Sequence, residues 1–465
     1  LTDALYELSA RALLDAYRTR SLSPVDVVRS VIARIEACEP QLAATYLFRP
    51  EQALAQAKAS EVRWQQGAPQ GLLDGVPVTI KENIATAGDA MPLGTAATEL
   101  APLLQDAPLA ARLREAGAVM VTKTTMPDYG MLSSGLSSFH SLTRNPWDLS
   151  QNPGGSSSGA GAAAAAGYGP LHVGTDIGGS IRLPVGWCGI FGLKPSLGRV
   201  PIDPPYAGRA AGPMTRTVAD AALMMQVLSQ PDARDSMNLP PSDIAWDALP
   251  NDAAHVRGLH LGLLLDAGCG LPTDPAVRLA VEQAARLFEQ AGATIVPMQP
   301  FLTSAMLRGM DHFWRMRSWA DVRQLPEERR AKVLPFIRAW AESAQGMTGL
   351  EVFEASQQFY TTRVATVRAC SAVDFVLSPV SPVAHFAADL PCPTNDPLQP
   401  LEHITFTVPY NMSEQPAASV NCGYTEGGMP IGLQIAGQRF DDLGVLRLAR
   451  VFELLRGPQK DWPIP

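Results

Sequence analysis

Three residues of this chain have surroundings suited to covalent chemistry: Ser156 in NPGGSSSGAG, Ser180 in GTDIGGSIR, and Lys81 closing the apolar run VPVTIK. A serine hydroxyl is a weak nucleophile and needs a neighbour to take its proton. The conventional acid and base types between the two serines are His172 and Asp176, and neither sits at a catalytic-looking turn. A lysine can replace histidine when burial disfavours its ammonium form. Serine with lysine in this role points to acyl transfer.

Each residue also has a structural reading. Gly178 and Gly179 ahead of Ser180 would let backbone N–H groups approach a developing oxyanion, although Gly-Gly-Ser is also an ordinary surface turn. Ser156, Ser157 and Ser158 precede GAGAAAAAG and could simply cap a helix, since serine is a favoured N-cap. GSSSG, with Ser157 at its centre, matches the G-x-S-x-G elbow. That elbow needs an apolar strand directly before it, whereas the preceding DLSQNP is polar and ends in proline. A lysine after a strand usually points to solvent. Only the conjunction of the three raises Lys81 above that expectation.

The elements that must position these residues alternate between helix and strand. Ser23-Pro24 with Asp26 supplies a cap, a first-turn proline and an early acid. Val27, Val28, Val31, Ile32 and Ile35 recur at helical spacing until Glu39-Pro40, where the helix is expected to stop. Short β-branched runs at 76–80, 119–121, 259–265, 293–296 and 375–377, and LHVGTD at 171–176, read as strands. Helices are expected over 111–117, 159–167, 273–292 and 443–455, and the first 65 residues look helical. The pattern predicts one α/β/α domain over 1–465, a mixed central sheet covered by helices, with its catalytic core in 75–230. Residues 301–360 are helical and carry Phe313, Trp314, Trp319, Phe336, Trp340, Phe353 and Phe359, expected mainly as core contacts, with a substrate-selecting cap as the sharper reading.

Composition narrows the function classes. The 465 residues are 46% hydrophobic and 18% charged, enough to build a sizeable core. A net charge of −8 without a basic run argues against a nucleic-acid surface. Apolar runs are too short for a membrane span, and the N-terminus reads as an amphipathic helix carrying acids, unlike a signal peptide. The six cysteines are scattered and the seven histidines show no ligand spacing, so reduced thiols, a cytoplasmic setting and no metal site are expected.

Several long motifs in a fixed order resemble the amidase signature family of serine hydrolases: GVPVTIKENI, TRNPWD, PGGSSSGAG, GTDIGGSIRLP, CGIFGLKPSLGRVP, GPMTRTVADAALM, PYNMSEQPAASVNCG and GMPIGLQIAGQRFDD. The resemblance covers nearly the whole chain. It implies Ser180 as nucleophile, Ser156 as a bridging serine after a cis Gly155–Ser156 peptide, and Lys81 as base. It also implies an oxyanion hole from the backbone of Ile177, Gly178, Gly179 and Ser180. Thr175 and Asp176 are expected to hold the turn by hydrogen bonding, and Arg182 to be structural or to meet an acid inside the fold. Two departures stand out: GGSSSGA where GGSSGGS is usual, and TKTTMPDYG with Thr125 where asparagine is usual. The latter segment, with Gly130, lies near the acyl pocket in relatives. Tyr206 in the presumed loop PIDPPYAGRAAG, 201–212, is a further candidate substrate contact.

The implied function is hydrolysis of carboxylic amides through an acyl-enzyme, extending to anilides and N-aryl carbamates (aryl acylamidase or urethanase activity). A small-molecule amide or carbamate is the expected partner, no cofactor is needed, and dimers are frequent among relatives. The competing reading is the catalytic A-type component of a tRNA-dependent amidotransferase complex. That component typically reads SIRQPA after the nucleophile, whereas this chain reads SIRLPV. A non-catalytic relative is the third reading, and an intact triad speaks against it.

Overall fold

The computed structural model describes residues 4–465. Its strands are β1 (Thr45–Tyr46), β2 (Pro77–Lys81), β3 (Val119–Thr124), β4 (Leu171–Asp176), β5 (Phe191–Lys194), β6 (Ala210–Thr215), β7 (His260–Leu263), β8 (Thr294–Pro297), β9 (Phe375–Pro379), β10 (Ala417–Tyr424) and β11 (Pro430–Gly437). They form one sheet in the order β1-β3-β2-β4-β6-β5-β10-β11-β9-β7-β8. The β3-β2-β4 group and the β9-β7-β8 group are parallel, while the strands between them pair antiparallel. The sheet is therefore mixed, the amidase signature fold, with helices on both faces.

Strand periodicity decides where Lys81 points. Successive side chains alternate between faces. Val78 and Ile80 enter the core built with Leu109, Leu113 and Val218, so Lys81 leaves β2 on the other face. There lies the helix Ser158–Ala166, made only of Ser, Gly and Ala and wholly buried. Small residues let it approach closely: a Cβ on Gly159 would stand 2.3 Å from the Ala44 carbonyl oxygen and 2.4 Å from the Thr125 nitrogen. That approach holds the serines at its N-terminus against the end of β2.

Some elements differ from expectation. The first long helix, Pro24–Leu42, runs through Pro40. In a last turn the ring forfeits a single backbone bond, and Ala43 in the left-handed conformation ends the helix instead. The presumed loop 201–212 ends earlier, because Ala210–Gly212 already belongs to β6 and pairs with β4. β6 reads AAGPMT and carries no β-branched run, since a Cβ at Gly212 would meet the Leu193 carbonyl oxygen at 2.1 Å. Close strand packing there replaced the usual hydrophobic signal. No helix among the described residues is long and apolar enough to cross a membrane.

Candidate active site

Lys81 is fully buried, and its amine sits among three hydroxyls. Nζ lies 2.8 Å from Ser156 Oγ, 3.1 Å from Ser157 Oγ and 3.2 Å from Thr175 Oγ1. Ser156 follows a cis Gly155–Ser156 peptide bond. Burial, and then the nearby Arg209 guanidinium, push the Lys81 amine well below its ordinary pKa, outweighing the opposing pull of Asp176 and Glu82. A neutral amine donates two hydrogen bonds and accepts one. The Ser157 hydroxyl is already directed to the Thr175 carbonyl oxygen at 3.2 Å, which leaves Ser156, at the shortest contact, as the hydroxyl placed to donate to Nζ. Thr175 Oγ1 also accepts from Asn83 Nδ2 at 3.1 Å.

A second buried group shapes the turn that carries Ser180. Asp176 accepts Nε of Arg182 at 3.0 Å and Nη2 at 2.9 Å. The remaining Arg182 donors reach the Thr407 carbonyl oxygen, Gln434 Oε1 and Asn411 Oδ1, between 2.6 and 2.8 Å. Burial pushes the Asp176 carboxyl up, but Arg182 and the hydrogen bonds outweigh it and hold the group well below the usual carboxylate range. Asp176 also accepts the backbone N–H of Gly179 at 2.8 Å and of Ile181 at 3.1 Å. This corrects the expectation for Gly179: its N–H is committed to the carboxylate and is not free for an oxyanion. Thr407 fixes the turn from the other side, its hydroxyl donating to the Gly178 carbonyl oxygen at 2.6 Å.

Ser180 is bound to the Lys81 side through backbone, the Ser157 N–H donating to its carbonyl oxygen at 3.2 Å. Ser156 and Ser180 open on the same cavity of about 430 Å³. No hydrogen bond joins the two hydroxyls in this arrangement.

The Amidase family profile matches residues 26–446. The chain belongs to the amidase signature family. It is 36% identical over 463 residues to the A component of the glutamyl-tRNA(Gln) amidotransferase of Myxococcus xanthus, with 93% of either chain covered. The protein of that name from Geobacter metallireducens is 34% identical, with 97% of each covered. Among solved structures it resembles a bacterial aryl acylamidase of the amidase signature family, with TM-score 0.88, 29% identity and 96% of both chains covered. It is also similar to the peptide amidase of Stenotrophomonas maltophilia, with TM-score 0.82, 25% identity and 98% of both covered.

The cavity of this amidase signature protein gathers other residues singled out in the sequence. Gly130 and Tyr206 both line it, with Thr175, Asp176 and Ile177. Gly130 stands over the bridging serine: a Cβ there would lie 3.3 Å from Ser156 Oγ. A smaller lobe, shared at Ser180, Gly130 and Ile177, reaches Gly178, Trp314 and Ile404. Most aromatics of 301–360 pack in the core: Trp340 is buried and Phe313 meets Phe359 edge-on, whereas Trp314 is buried but also lines the lobe and Phe353 faces solvent. His172 is spent inside the sheet, Nδ1 on Thr79 and Nε2 on the Gly169 carbonyl oxygen. Sequence reasoning missed Arg209 and Arg317 on the cavity wall. Neither sits in a recognisable pattern, and only the folded chain brings them together.

Proposed function

We propose that this chain hydrolyses the C–N bond of carboxylic amides through an acyl-enzyme on Ser180. The observation that carries the reading is the buried Lys81 amine, its pKa pushed well below the ordinary lysine value, 2.8 Å from Ser156 Oγ, which opens on a cavity shared with Ser180. Ser180 Oγ attacks the carbonyl carbon while its proton passes to Ser156, whose own proton passes to Lys81. This step requires the Ser180 hydroxyl to swing onto Ser156. The oxyanion is met by the N–H groups of Ile177, Gly178 and Ser180. Lys81 returns the proton through Ser156 to the leaving nitrogen, the C–N bond breaks, and an ester on Ser180 remains. Water then attacks by the same relay, releasing the acid and restoring the serine.

The likeness to an aryl acylamidase and the apolar cavity side chains Met91, Leu93, Met126 and Met131 support anilides as a substrate class. N-aryl carbamates offer a similar carbonyl. Labelling with a fluorophosphonate followed by peptide mapping is expected to mark Ser180, and Ser180→Ala to abolish the label while the protein stays folded. A label on Ser157 would sink the assignment. The reading as one component of a larger complex is favoured by the identity to the A components of glutamyl-tRNA(Gln) amidotransferases. Amide hydrolysis by the purified chain, without partner or ATP, decides for the stand-alone enzyme, and activity appearing only with partner proteins decides against it.

A further inference from the structure

Two arginines on the cavity wall lack a counter-ion among the described residues. Arg209, just before β6, and Arg317, on the helix Ser304–Val322, line the cavity that holds Ser156 and Ser180. Arg317 lies over the Tyr206 ring, 4.5 Å from its centroid, and also lines the smaller lobe. Arg209 is half-buried and Arg317 exposed, whereas the buried Arg182, Arg199 and Arg315 each face a carboxylate at hydrogen-bonding distance. Three acids do reach the same cavity. Asp176 is committed to Arg182, and Asp203 and Asp321 are exposed; neither of these two makes an ion pair with Arg209 or Arg317. Lys81, a further basic group nearby, has its pKa pushed well below the ordinary lysine value by burial. The cavity therefore presents two guanidinium groups without a direct carboxylate partner beside an apolar stretch of Met91, Leu93, Met126 and Val322.

A guanidinium's planar fork matches a carboxylate, and Arg209, partly withdrawn from water without a carboxylate partner, is the one whose charge most favours such pairing. We propose that Arg209 and Arg317 form an anion subsite, and that the amides this centre turns over carry a carboxylate joined to the scissile amide through an apolar spacer. What is cleaved rests on the reading of Ser180 as nucleophile; the subsite stands on the two guanidinium groups.

The test compares matched pairs of anilides. Glutaryl against butyryl 4-nitroanilide places the carboxylate on the acyl side, and 4-acetamidobenzoate against acetanilide places it on the amine side. One charged compound is expected to exceed its neutral partner in kcat/KM by about tenfold or more, as charge-assisted pairing allows. Arg209→Met and Arg317→Met should each shrink that ratio, and Arg209→Lys should keep part of it. Equal rates within both pairs, or variants that lower both members alike, overturn the subsite. A binding arm separates the two readings. In Ser180→Ala, glutaric acid monoanilide should bind more tightly than butyranilide by calorimetry, and Arg209→Met should remove the difference. Preserved discrimination without any hydrolysis by the wild-type chain would sink the reaction and leave the subsite standing. Equal binding within this pair and also between 4-acetamidobenzoate and acetanilide would sink the subsite whether or not amides are cleaved.

Discussion

On the sheet side of the cavity, the Lys81 amine and the Arg182 guanidinium are both held in dense hydrogen bonding. Ser157, Thr175 and Asn83 surround the amine, and all five N–H donors of Arg182 find acceptors. On the opposite side, the 201–209 segment and the helix Ser304–Val322 present Arg209 and Arg317 with no carboxylate partner among the described residues. A densely hydrogen-bonded buried network admits few arrangements, because a change strands a charge or a donor. An unsatisfied wall waits for a ligand. The first side fixes the reaction; the second leaves the substrate to be chosen.

The largest effect should follow from breaking the satisfied side at its centre. Lys81→Met keeps the length and burial of the side chain but removes the proton acceptor. Its kcat/KM is expected to fall by about 10²–10⁴, the usual worth of a positioned base, with the circular dichroism spectrum unchanged. A loss smaller than about tenfold would show that another base operates.

Next comes Arg182→Met, which leaves Asp176 buried without its partner. Removing one member of a buried pair typically costs about 3–5 kcal/mol, and urea unfolding should register a loss of this order. Adding Asp176→Asn should recover part of it. A single variant as stable as the parent would show that the pair does not hold the Ser180 turn.

This contrast also explains what was legible in the sequence. Lys81, Ser156 and Ser180 stood out only in conjunction, each alone having an ordinary structural reading, and their roles came from the ordered motifs that resemble the family. The commitment of the Gly179 N–H to Asp176 was not legible, since the turn allows that N–H to face either way until Arg182 fixes the carboxylate. β6 escaped notice because its strand character comes from its neighbours β4 and β5 and not from its own residues. Arg209 and Arg317 lie on the wall, where neither periodicity nor turn chemistry constrains the residue type. Helical aromatics such as Trp340 were readable as core but not as distant from the substrate.

A smaller effect is expected where the two sides meet. Gly130 has φ of +68°, and a methyl there would lie 3.1 Å from Met126 Cε and 3.3 Å from Ser156 Oγ. Gly130→Ala both strains the backbone and nudges the bridging hydroxyl. A shift well under 1 Å in a reacting group is enough for about a tenfold loss in kcat, with KM for a small amide less affected. Unchanged kcat would mean that Ser156 tolerates displacement, which would weaken its role as relay.

The subtlest prediction joins the two sides electrostatically. Only unprotonated Lys81 can accept a proton, so activity must fall as pH drops through its pKa. Burial is the main cause of that low pKa and Arg209 the next, with Asp176 and Glu82 pulling the other way. Taking away the Arg209 charge removes one influence that disfavours the ammonium form, so the Lys81 pKa rises. The acid limb of kcat/KM against pH, measured with the neutral butyryl 4-nitroanilide, should therefore move to higher pH in Arg209→Met and stay near its original position in Arg209→Lys. The limb should move the same way in the parent when glutarate occupies the wall, because a bound carboxylate offsets the Arg209 charge without altering any residue. A limb that stayed fixed in Arg209→Met would show that the wall and the lysine are electrostatically independent, and substrate charge would then act through binding alone.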